Sequence, residues 1–214
     1  MTTPTSPREQ AAAGLEQLAS LIRAQSWRPD GTPSLPPTQA AVMRMLVGSS
    51  EGMKARQIAE RLGISAASLS DSLKAMESKG WIRREADPAD KRASLVRLAP
   101  AGESIARQLR EPGQGIASLV QPMHERDVGA LLRVTQLLVL EAQRQGLATG
   151  ARTCLGCRFF RPNSTGDARH PHFCEFISQP FGDPELRTDC AEQSPADAHR
   201  LAANAEGFRL HAPP

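Results

Sequence analysis

All four cysteines of this 214-residue chain fall within residues 154–190. They are Cys154, Cys157, Cys174 and Cys190, with the spacing C-x2-C-x16-C-x15-C. Four thiolates form one complete ligand set for a zinc ion or an iron–sulfur cluster. Because cysteines clustered in a reducing compartment are more often metal ligands than disulfide partners, residues 151–193 are predicted to form a four-cysteine metal or cluster module.

The sequence contains no segment that resembles a membrane span or a secretory signal. No apolar run reaches the ~18–20 residues of a transmembrane helix. Residues 1–13 are polar and alanine-rich and lack a cationic start followed by an apolar stretch. We therefore expect a cytoplasmic protein, in agreement with the metal-ligand interpretation of the cysteines.

Apolar residues at helical spacing predict a series of helices in the first half of the chain. They cover about 8–26, 37–47, 54–62, 66–79 and 100–110. Gly63-Ile64-Ser65 is a glycine turn that ends in a good N-cap residue. Alternating segments at 81–85 and 93–98 flank the polar turn 87–92 and predict a β-hairpin. The expected fold class is mainly α with a small β-hairpin wing (α+β).

Two helices joined by a glycine turn and followed by a hairpin form a winged helix-turn-helix. The second helix of such a pair enters the major groove of DNA with its N-terminal part leading. Between Lys54 and Arg97 there are ten Lys/Arg against six Asp/Glu, so the positive charge of the chain is concentrated here. The predicted DNA contacts are Ser65, Ala67, Ser68, Ser70, Asp71 and Lys74 on the helix, and Lys91 and Arg92 at the hairpin tip.

Several stretches of this region are similar to the MarR family of bacterial regulators. They are Leu35–Gln39, Ile58–Ser65, Ser68–Gly80, Asp87–Arg92 and Leu98–Gly102, and the resemblance extends over about residues 8–148. It implies that Arg92 is the wing arginine in the minor groove and that Asp90 braces it. It also implies a homodimer, a palindromic double-stranded DNA operator and a pocket for a small-molecule effector.

A long helix predicted at 125–145 carries a wide apolar stripe, which indicates a partner helix. The family resemblance places this helix and the first one around a two-fold axis. The predicted segments are therefore 1–34 (dimerisation helix and loop), 35–111 (winged helix-turn-helix), 112–150 (dimerisation helix and linker), 151–193 (four-cysteine module) and 194–214 (a weakly ordered tail).

The chemistry of the four-cysteine module stays open between two centres. Zinc is usually held by two tight cysteine pairs, whereas only Cys154 and Cys157 form one here. An iron–sulfur cluster, 4Fe-4S or 2Fe-2S, accepts ligands from separate loops, and five of the six phenylalanines lie in this window as a candidate apolar shell. His170 or His172 is a further possible ligand.

These features together predict a dimeric DNA-binding regulator whose operator affinity depends on an iron–sulfur cluster that senses redox state, oxygen, nitric oxide or iron. The alternative is a MarR-like regulator with purely structural zinc (Zn2+) that responds to a small aromatic or other organic ligand. Paired catalytic carboxylates, a nucleophile elbow and a phosphate-binding loop are not recognisable in the sequence, so we do not expect an enzyme.

Overall fold

The computed structural model of the chain describes residues 6–25, 35–47, 49, 51–109, 117–147 and 150–210. Its contacts divide the chain into two compact units. The first comprises residues 1–58 and 65–122, and the second comprises residues 59–64 and 123–214. Each unit is described by itself.

The first unit is built from helices and a small antiparallel sheet, which confirms the predicted fold class. Its elements, in chain order, are α1 (Pro7–Gln25), α2 (Pro37–Val47), β1 (Met53–Lys54), α3 (Ala55–Leu62, through which the division into units runs), α4 (Ala66–Ser78), β2 (Ile82–Asp87), β3 (Asp90–Leu98), α5 (Pro100–Gln108) and α6 (Ala117–Val120). The strand order is β1-β3-β2. The two-residue strand β1 was not predicted, because two residues are too short to show alternation.

The core of the first unit lies between α2, α4 and the sheet. On α4 the buried residues are Leu69, Leu73 and Met76, the three that helical spacing had predicted to face inward. They pack with α2, where Val42 and Met43 are fully buried. This packing fixes which face of α4 points outward.

The close approach of α5 to the residue before β2 explains a glycine in the sequence. A Cβ atom on Gly102 would lie 1.9 Å from the carbonyl oxygen of Trp81, which is backbone and has little freedom to move. The same carbonyl accepts a hydrogen bond from the amide of Ala99 at 2.9 Å. Only glycine therefore fits at this position of the Pro100-Ala101-Gly102 motif.

The second unit combines a long helix, a small sheet and a C-terminal helix. Its elements are α7 (Glu125–Arg144), β4 (Phe160–Arg161), β5 (His172–Cys174), β6 (Gln179–Phe181), a 3-10 turn (Asp183–Glu185) and α8 (Ala198–Leu210), with the antiparallel strand order β4-β5-β6. Its apolar core consists of Leu140, Leu155, Phe160, Phe181, Leu186, Ala205 and Phe208. This core contains residues of α7, of the cysteine segment and of α8.

One prediction for this part of the chain is wrong. Residues 194–214 were expected to form a weakly ordered tail, but 198–210 form α8, whose Ala205 and Phe208 are buried in the core. The tail was predicted from its alanine and proline content, whereas the contacts that order it come from distant parts of the chain.

Part of the apolar stripe predicted on α7 is exposed in the single chain, while Leu132 packs against the core of this unit. The buried residues of the helix are Gly129, Arg133, Gln136 and Leu140, two of which are polar. Leu131, Val134 and Leu138 are exposed in the single chain. The helix therefore has two faces with different roles, and sequence periodicity revealed only the apolar one.

Some predicted features lie outside the described residues. They are the breaker-rich loop at 27–31, the break at 112–115 and the side chain of Lys91. Among the described residues, no helix is both long enough and apolar enough to cross a membrane.

We predict that Gly102→Ala destabilises the first unit by about 1–3 kcal/mol, because the added methyl group overpacks a backbone contact. The measurement is the urea midpoint of unfolding. The control is Gly14→Ala on α1, where a Cβ atom has nothing within 4 Å and the substitution favours the helix. Equal midpoints for Gly102→Ala and wild type would contradict the packing argument.

Candidate nucleic-acid interface and cysteine site

The turn between α3 and α4 is closed by backbone hydrogen bonds that need a left-handed residue. The amide of Ile64 donates to the carbonyl of Ala59 at 3.2 Å, and the amide of Gly63 donates to the carbonyl of Glu60 at 3.3 Å. Gly63 has φ +65°, as the residue after a helix end commonly does. This is the predicted turn of the helix-turn-helix.

Helix α4 begins with the predicted N-cap. The hydroxyl of Ser65 accepts a hydrogen bond from the amide of Ser68 at 3.1 Å, and it donates to the Ser68 hydroxyl at 3.0 Å. Of the predicted DNA contacts on this helix, Ser65, Ala67, Ser68, Asp71 and Lys74 are exposed and Ser70 is half-buried. Asp71 and Lys74 form an exposed ion pair at 3.8 Å. The structure thus brings these residues to one outward face of α4.

The tip of the β2–β3 hairpin is held by two carboxylates. Asp87 is paired with the ammonium of Lys54 on β1 at 2.9 Å and accepts a hydrogen bond from the amide of Ala89 at 2.9 Å. These bonds hold the pKa of Asp87 below its ordinary value. Asp90 accepts the backbone amide of Arg92 at 3.1 Å. Asp90 therefore bonds the main chain of Arg92, whose side chain is exposed.

Part of the basic charge of this region is neutralised on the sheet itself. Glu85 lies between two guanidinium groups, 2.6 Å from that of Arg83 and 2.8 Å from that of Arg97. Arg84 is paired with Glu77 at 3.3 Å. These pairs stabilise the sheet surface.

The first two predicted metal ligands occupy one tight turn. The amide of Cys157 donates to the carbonyl of Cys154 at 2.9 Å. Between them, Leu155 is fully buried in the apolar core. The turn thus directs its apolar residue inward and leaves both cysteines half-buried.

A second segment runs beside this turn and carries Cys190. The amide of Cys154 donates to the carbonyl of Arg187 at 3.1 Å, and the amide of Cys190 donates to the carbonyl of Arg152 at 3.0 Å. In return, the amide of Arg187 donates to the sulfur of Cys154 at 3.3 Å. Backbone N–H groups that point at a sulfur stabilise its thiolate form, as required of a metal ligand.

Cys174 reaches the same region from the small sheet. It is the last residue of β5 and pairs with Phe160 on β4 and with Gln179 on β6. Cys154, Cys157 and Cys174 all pack against the apolar core of the unit. The cysteine site is therefore assembled from three segments, which are the 154–157 turn, the end of β5 and the 187–190 segment.

The four cysteines are free thiols whose charges interact. Burial raises the pKa of the Cys154 thiol to about 11, the amide of Arg187 opposes the rise, and the charges of the other three cysteines add to it. The thiolate form of Cys154 is therefore disfavoured unless a cation compensates its charge. Among the described residues, no group of three or more His, Cys, Asp or Glu side chains forms a ready-made site for a metal ion. The four-cysteine centre thus stays a prediction that rests on the donor chemistry of the four thiols.

A glutamine on α7 ties the two loops of the site together. Gln136 has no exposed surface. Its side-chain oxygen accepts the amide of Leu155 at 2.9 Å, and its side-chain nitrogen donates to the carbonyl of Arg187 at 2.9 Å. Asn204 on α8 donates to the carbonyl of Cys157 at 3.1 Å from the other side. The cysteine turn is thereby held between two helices.

His172 is part of the packing of the unit. Its ring is fully buried, and both of its nitrogens are used: Nδ1 accepts the amide of Asn163 at 3.2 Å and Nε2 bonds Asp183 at 2.7 Å. Asp183 is also paired with Arg133 of α7 at 3.3 Å. Burial raises the pKa of Asp183, but the hydrogen bond from His172 and the charge of Arg133 outweigh this and leave it below its usual value. His170 is exposed and pairs with Asp167 at 3.1 Å.

Sequence reasoning missed Gln136, Arg133 and Asn204. Each is a polar residue on a helix, and its type alone indicates a solvated face. The signal in the sequence was their spacing. Gly129, Arg133, Gln136 and Leu140 recur at helical spacing and therefore lie on one face of α7, beside the apolar stripe. Without knowing what covers that face, the pattern does not predict burial.

Comparison with known proteins supports a MarR-type winged helix in this chain. Residues 34–93 match the model of the MarR family. The transcriptional regulator HosA of Escherichia coli O111:H- is 40% identical over 73 residues, which are 34% of this chain and 53% of HosA. The chain thus spans about half the length of this curated relative.

Solved structures show the same fold. Sco3205, a MarR family transcriptional regulator from Streptomyces coelicolor in complex with DNA, has a TM-score of 0.56 at 20% identity and covers 67% of this chain and 92% of its own. The transcriptional repressor CouR, bound to a 23-mer DNA duplex, has a TM-score of 0.53 at 19% identity and covers 64% and 99%. At these identities the comparison establishes the MarR-like winged-helix fold.

We predict that Gln136→Leu destabilises the second unit, because it leaves the buried amide of Leu155 without its partner, whereas the carbonyl of Arg187 keeps the amide of Cys154. The expected cost is about 1–3 kcal/mol for the buried amide left unpaired. The measurement is the free energy of unfolding from urea denaturation. In the control variant, Gln145→Leu, the replaced side chain is exposed and bonds only Glu141, so the change should stay within about 0.5 kcal/mol. Similar losses in both variants would refute the role of Gln136.

Proposed function

We propose that this chain is a transcriptional regulator that binds double-stranded DNA through its MarR-type winged helix and that a metal centre on Cys154, Cys157, Cys174 and Cys190 controls its DNA affinity. The observation that carries the proposal is the combination of the two features in one chain. A winged helix of the MarR type is followed by four cysteines on three segments, of which Cys154, Cys157 and Cys174 pack against one apolar core and Cys190 lies on the segment bonded to Arg152.

The exposed face of α4 and the wing tip support DNA binding. Small and hydroxyl-bearing residues at the start of α4 allow its backbone to approach base edges and phosphates. An exposed arginine on the wing suits the negative potential of the minor groove. Sco3205 and CouR, which share the fold, were crystallised with DNA. In this chain Ser68 and Lys74 are proposed contacts of the major groove, and Arg92 of the minor groove.

Two exposed apolar faces support a homodimer. On α7 they comprise Leu131, Val134 and Leu138, and on α1 they comprise Leu15, Leu18 and Leu21. Apolar side chains at helical spacing on an exposed face are favourable only when another helix covers them. A two-fold dimer presents two recognition helices and reads a palindromic operator with half-sites about one helical turn apart.

The donors favour an iron–sulfur cluster as the centre. Four thiols from three segments suit a cluster, which is larger than one ion, and the adjacent apolar core with Phe160 and Phe181 limits access of water. When bound, such a cluster would supply reversible redox chemistry or sensitivity to oxygen, nitric oxide or iron. The residues of this chain would hold it, exclude water from it and connect it to α7. The alternative is structural zinc, with a small organic molecule as the effector.

The test is one preparation, purified without oxygen, on which metal content and DNA affinity are both measured. We expect a brown protein with broad absorption near ~400 nm and with iron equal to sulfide. Removal of the centre should change the operator Kd by about 5–150-fold, which corresponds to a coupling of about 1–3 kcal/mol. Replacing Cys190 with Ser should reproduce the metal-free affinity.

The outcomes separate the alternatives. A colourless protein with about one zinc per chain would make the centre structural and would direct the search for an effector to organic ligands. Equal DNA affinity with and without the centre would refute sensing, whichever metal is present.

We predict that Arg92→Ala weakens binding to all DNA sequences and lowers the salt slope of the binding constant by about one unit, because a phosphate-neutralising contact is lost. The measurement is a titration with one duplex at several salt concentrations. Arg169→Ala, which removes an exposed arginine of the second unit, is the control and should leave the slope unchanged. An unchanged slope for Arg92→Ala would mean that the wing does not contact DNA.

A further inference from the structure

The turn of the helix-turn-helix groups with the cysteine-containing unit. Residues 59–64, which comprise the last turn of α3 and the glycine turn, belong with residues 123–214. They continue directly through Ser65 into α4, the proposed recognition helix. This short segment therefore connects the cysteine-containing unit to α4 along the chain.

The backbone after α7 lies against this turn. The amide of Gly150 donates to the carbonyl of Glu60 at 3.1 Å. A Cβ atom on Gly150 would lie 2.6 Å from the amide nitrogen of Arg61, and one on Gly63 would lie 2.5 Å from the carbonyl oxygen of Leu147. Two glycines thus permit direct contact between the two backbones. The predicted linker at 146–150 is, at these residues, a packing surface.

A salt bridge connects the same turn with the segment that carries the fourth cysteine. The guanidinium of Arg61 bonds the carboxylate of Asp189, and the Arg61 side chain is only 14% exposed. Arg152 bonds the same carboxylate at 2.9 Å, while its own carbonyl accepts the amide of Cys190 at 3.0 Å. Asp189 is therefore fixed by two arginines and by the position of its neighbour Cys190.

We propose that Asp189 transmits the state of the cysteine centre to the DNA-reading helix. Ligation of Cys190 fixes the 187–190 segment, which holds the Asp189 carboxylate on Arg61 and thereby holds the turn that leads into α4. Release of Cys190 frees this segment and the turn loses its anchor. The coupling rests on the proposed function, because it requires a centre on the cysteines, and it adds the route by which that centre acts.

An equivalent acidic residue elsewhere in the unit provides a matched control. Glu175 also neighbours a cysteine, Cys174, and also pairs with an arginine, Arg161, at 2.5 Å. The two carboxylate side chains are similarly exposed, at 52% for Asp189 and 43% for Glu175. Of these two carboxylates, Asp189 alone is paired with the helix-turn-helix. Asp189→Asn and Glu175→Gln therefore remove comparable charges, and only the first removes the connection.

The experiment measures amide hydrogen exchange of residues 59–64 by mass spectrometry in the full-length protein, with the centre loaded and removed. In wild type we expect slower exchange when the centre is present. In Asp189→Asn the metal content should stay at the wild-type level, while exchange in 59–64 rises to that of the metal-free protein. The ratio of operator Kd values between the two states should fall by at least ~5-fold toward one. Glu175→Gln should behave as wild type.

A second variant keeps the test decisive if Asp189→Asn loses its metal. Arg61→Gln removes the same salt bridge from the side of the turn and leaves the pair of Arg152 and Asp189 in place. The double variant should show no more exchange than either single variant, because all three lack the same contact. Exchange in 59–64 that is insensitive to both single substitutions would overturn the proposal.

The failure of this coupling is distinguishable from failure of the proposed function. In one outcome, wild-type protein binds DNA equally with and without the centre, but hydrogen exchange in residues 59–64 depends on loading and on Asp189. This outcome would refute control of DNA affinity by the centre and would retain the coupling between the cysteines and the turn. In the opposite outcome, the DNA affinity of the wild type depends on the centre but hydrogen exchange in residues 59–64 does not. This outcome would retain control of DNA affinity by the centre and would refute the coupling through Asp189.

Discussion

The buried side chain of Gln136 is the contact on which the cysteine unit depends. A primary amide offers one acceptor and one donor at a fixed separation, and here they satisfy one backbone amide and one backbone carbonyl from two different loops. Those loops contain Cys154 and the segment leading to Cys190. The buried amide of Leu155 needs this partner, the carbonyl of Arg187 is held by it together with the amide of Cys154, and the position of α7 thereby sets the spacing of the loops. The same helix supplies Arg133, whose pair with Asp183 fixes the buried ring of His172.

This arrangement gives α7 two functions. One face packs inside the unit and carries the polar residues Arg133 and Gln136, while Leu131, Val134 and Leu138 are exposed on the outside. In the proposed dimer the outer face contacts the partner subunit and the inner face holds the cysteine site. A change at the cysteines is then close to both the dimer contact and the turn at 59–64. The proposed route through the dimer contact and the proposed route through the turn at 59–64 use different residues, and Asp189 belongs only to the route through the turn.

The winged helix shows the opposite relation between sequence and structure. Its helices, glycine turn, N-cap and hairpin are specified by local patterns, and they form where the sequence predicted them to within a few residues. The fold class is confirmed, and Leu69, Leu73 and Met76 are buried as predicted. What local patterns did not reveal was the two-residue strand β1, whose Lys54 holds the wing through Asp87. The DNA contacts and the metal ligands remain predictions.

The sequence by itself determined the helix-turn-helix, the wing and the confinement of all four cysteines to one segment, because periodicity, turn residues and spacing are properties of neighbouring residues. The tertiary structure decided which polar residues are buried, that the expected tail is the helix α8, and that the turn at Gly63 is held by Leu147, Gly150 and Asp189. These contacts join residues up to 128 positions apart. A residue's type indicates which groups it prefers to contact, but only the folded chain determines which groups lie beside it. Removing the polar side chain of Gln136 or Arg61 from water is favourable only where a hydrogen-bonding or charged partner is present.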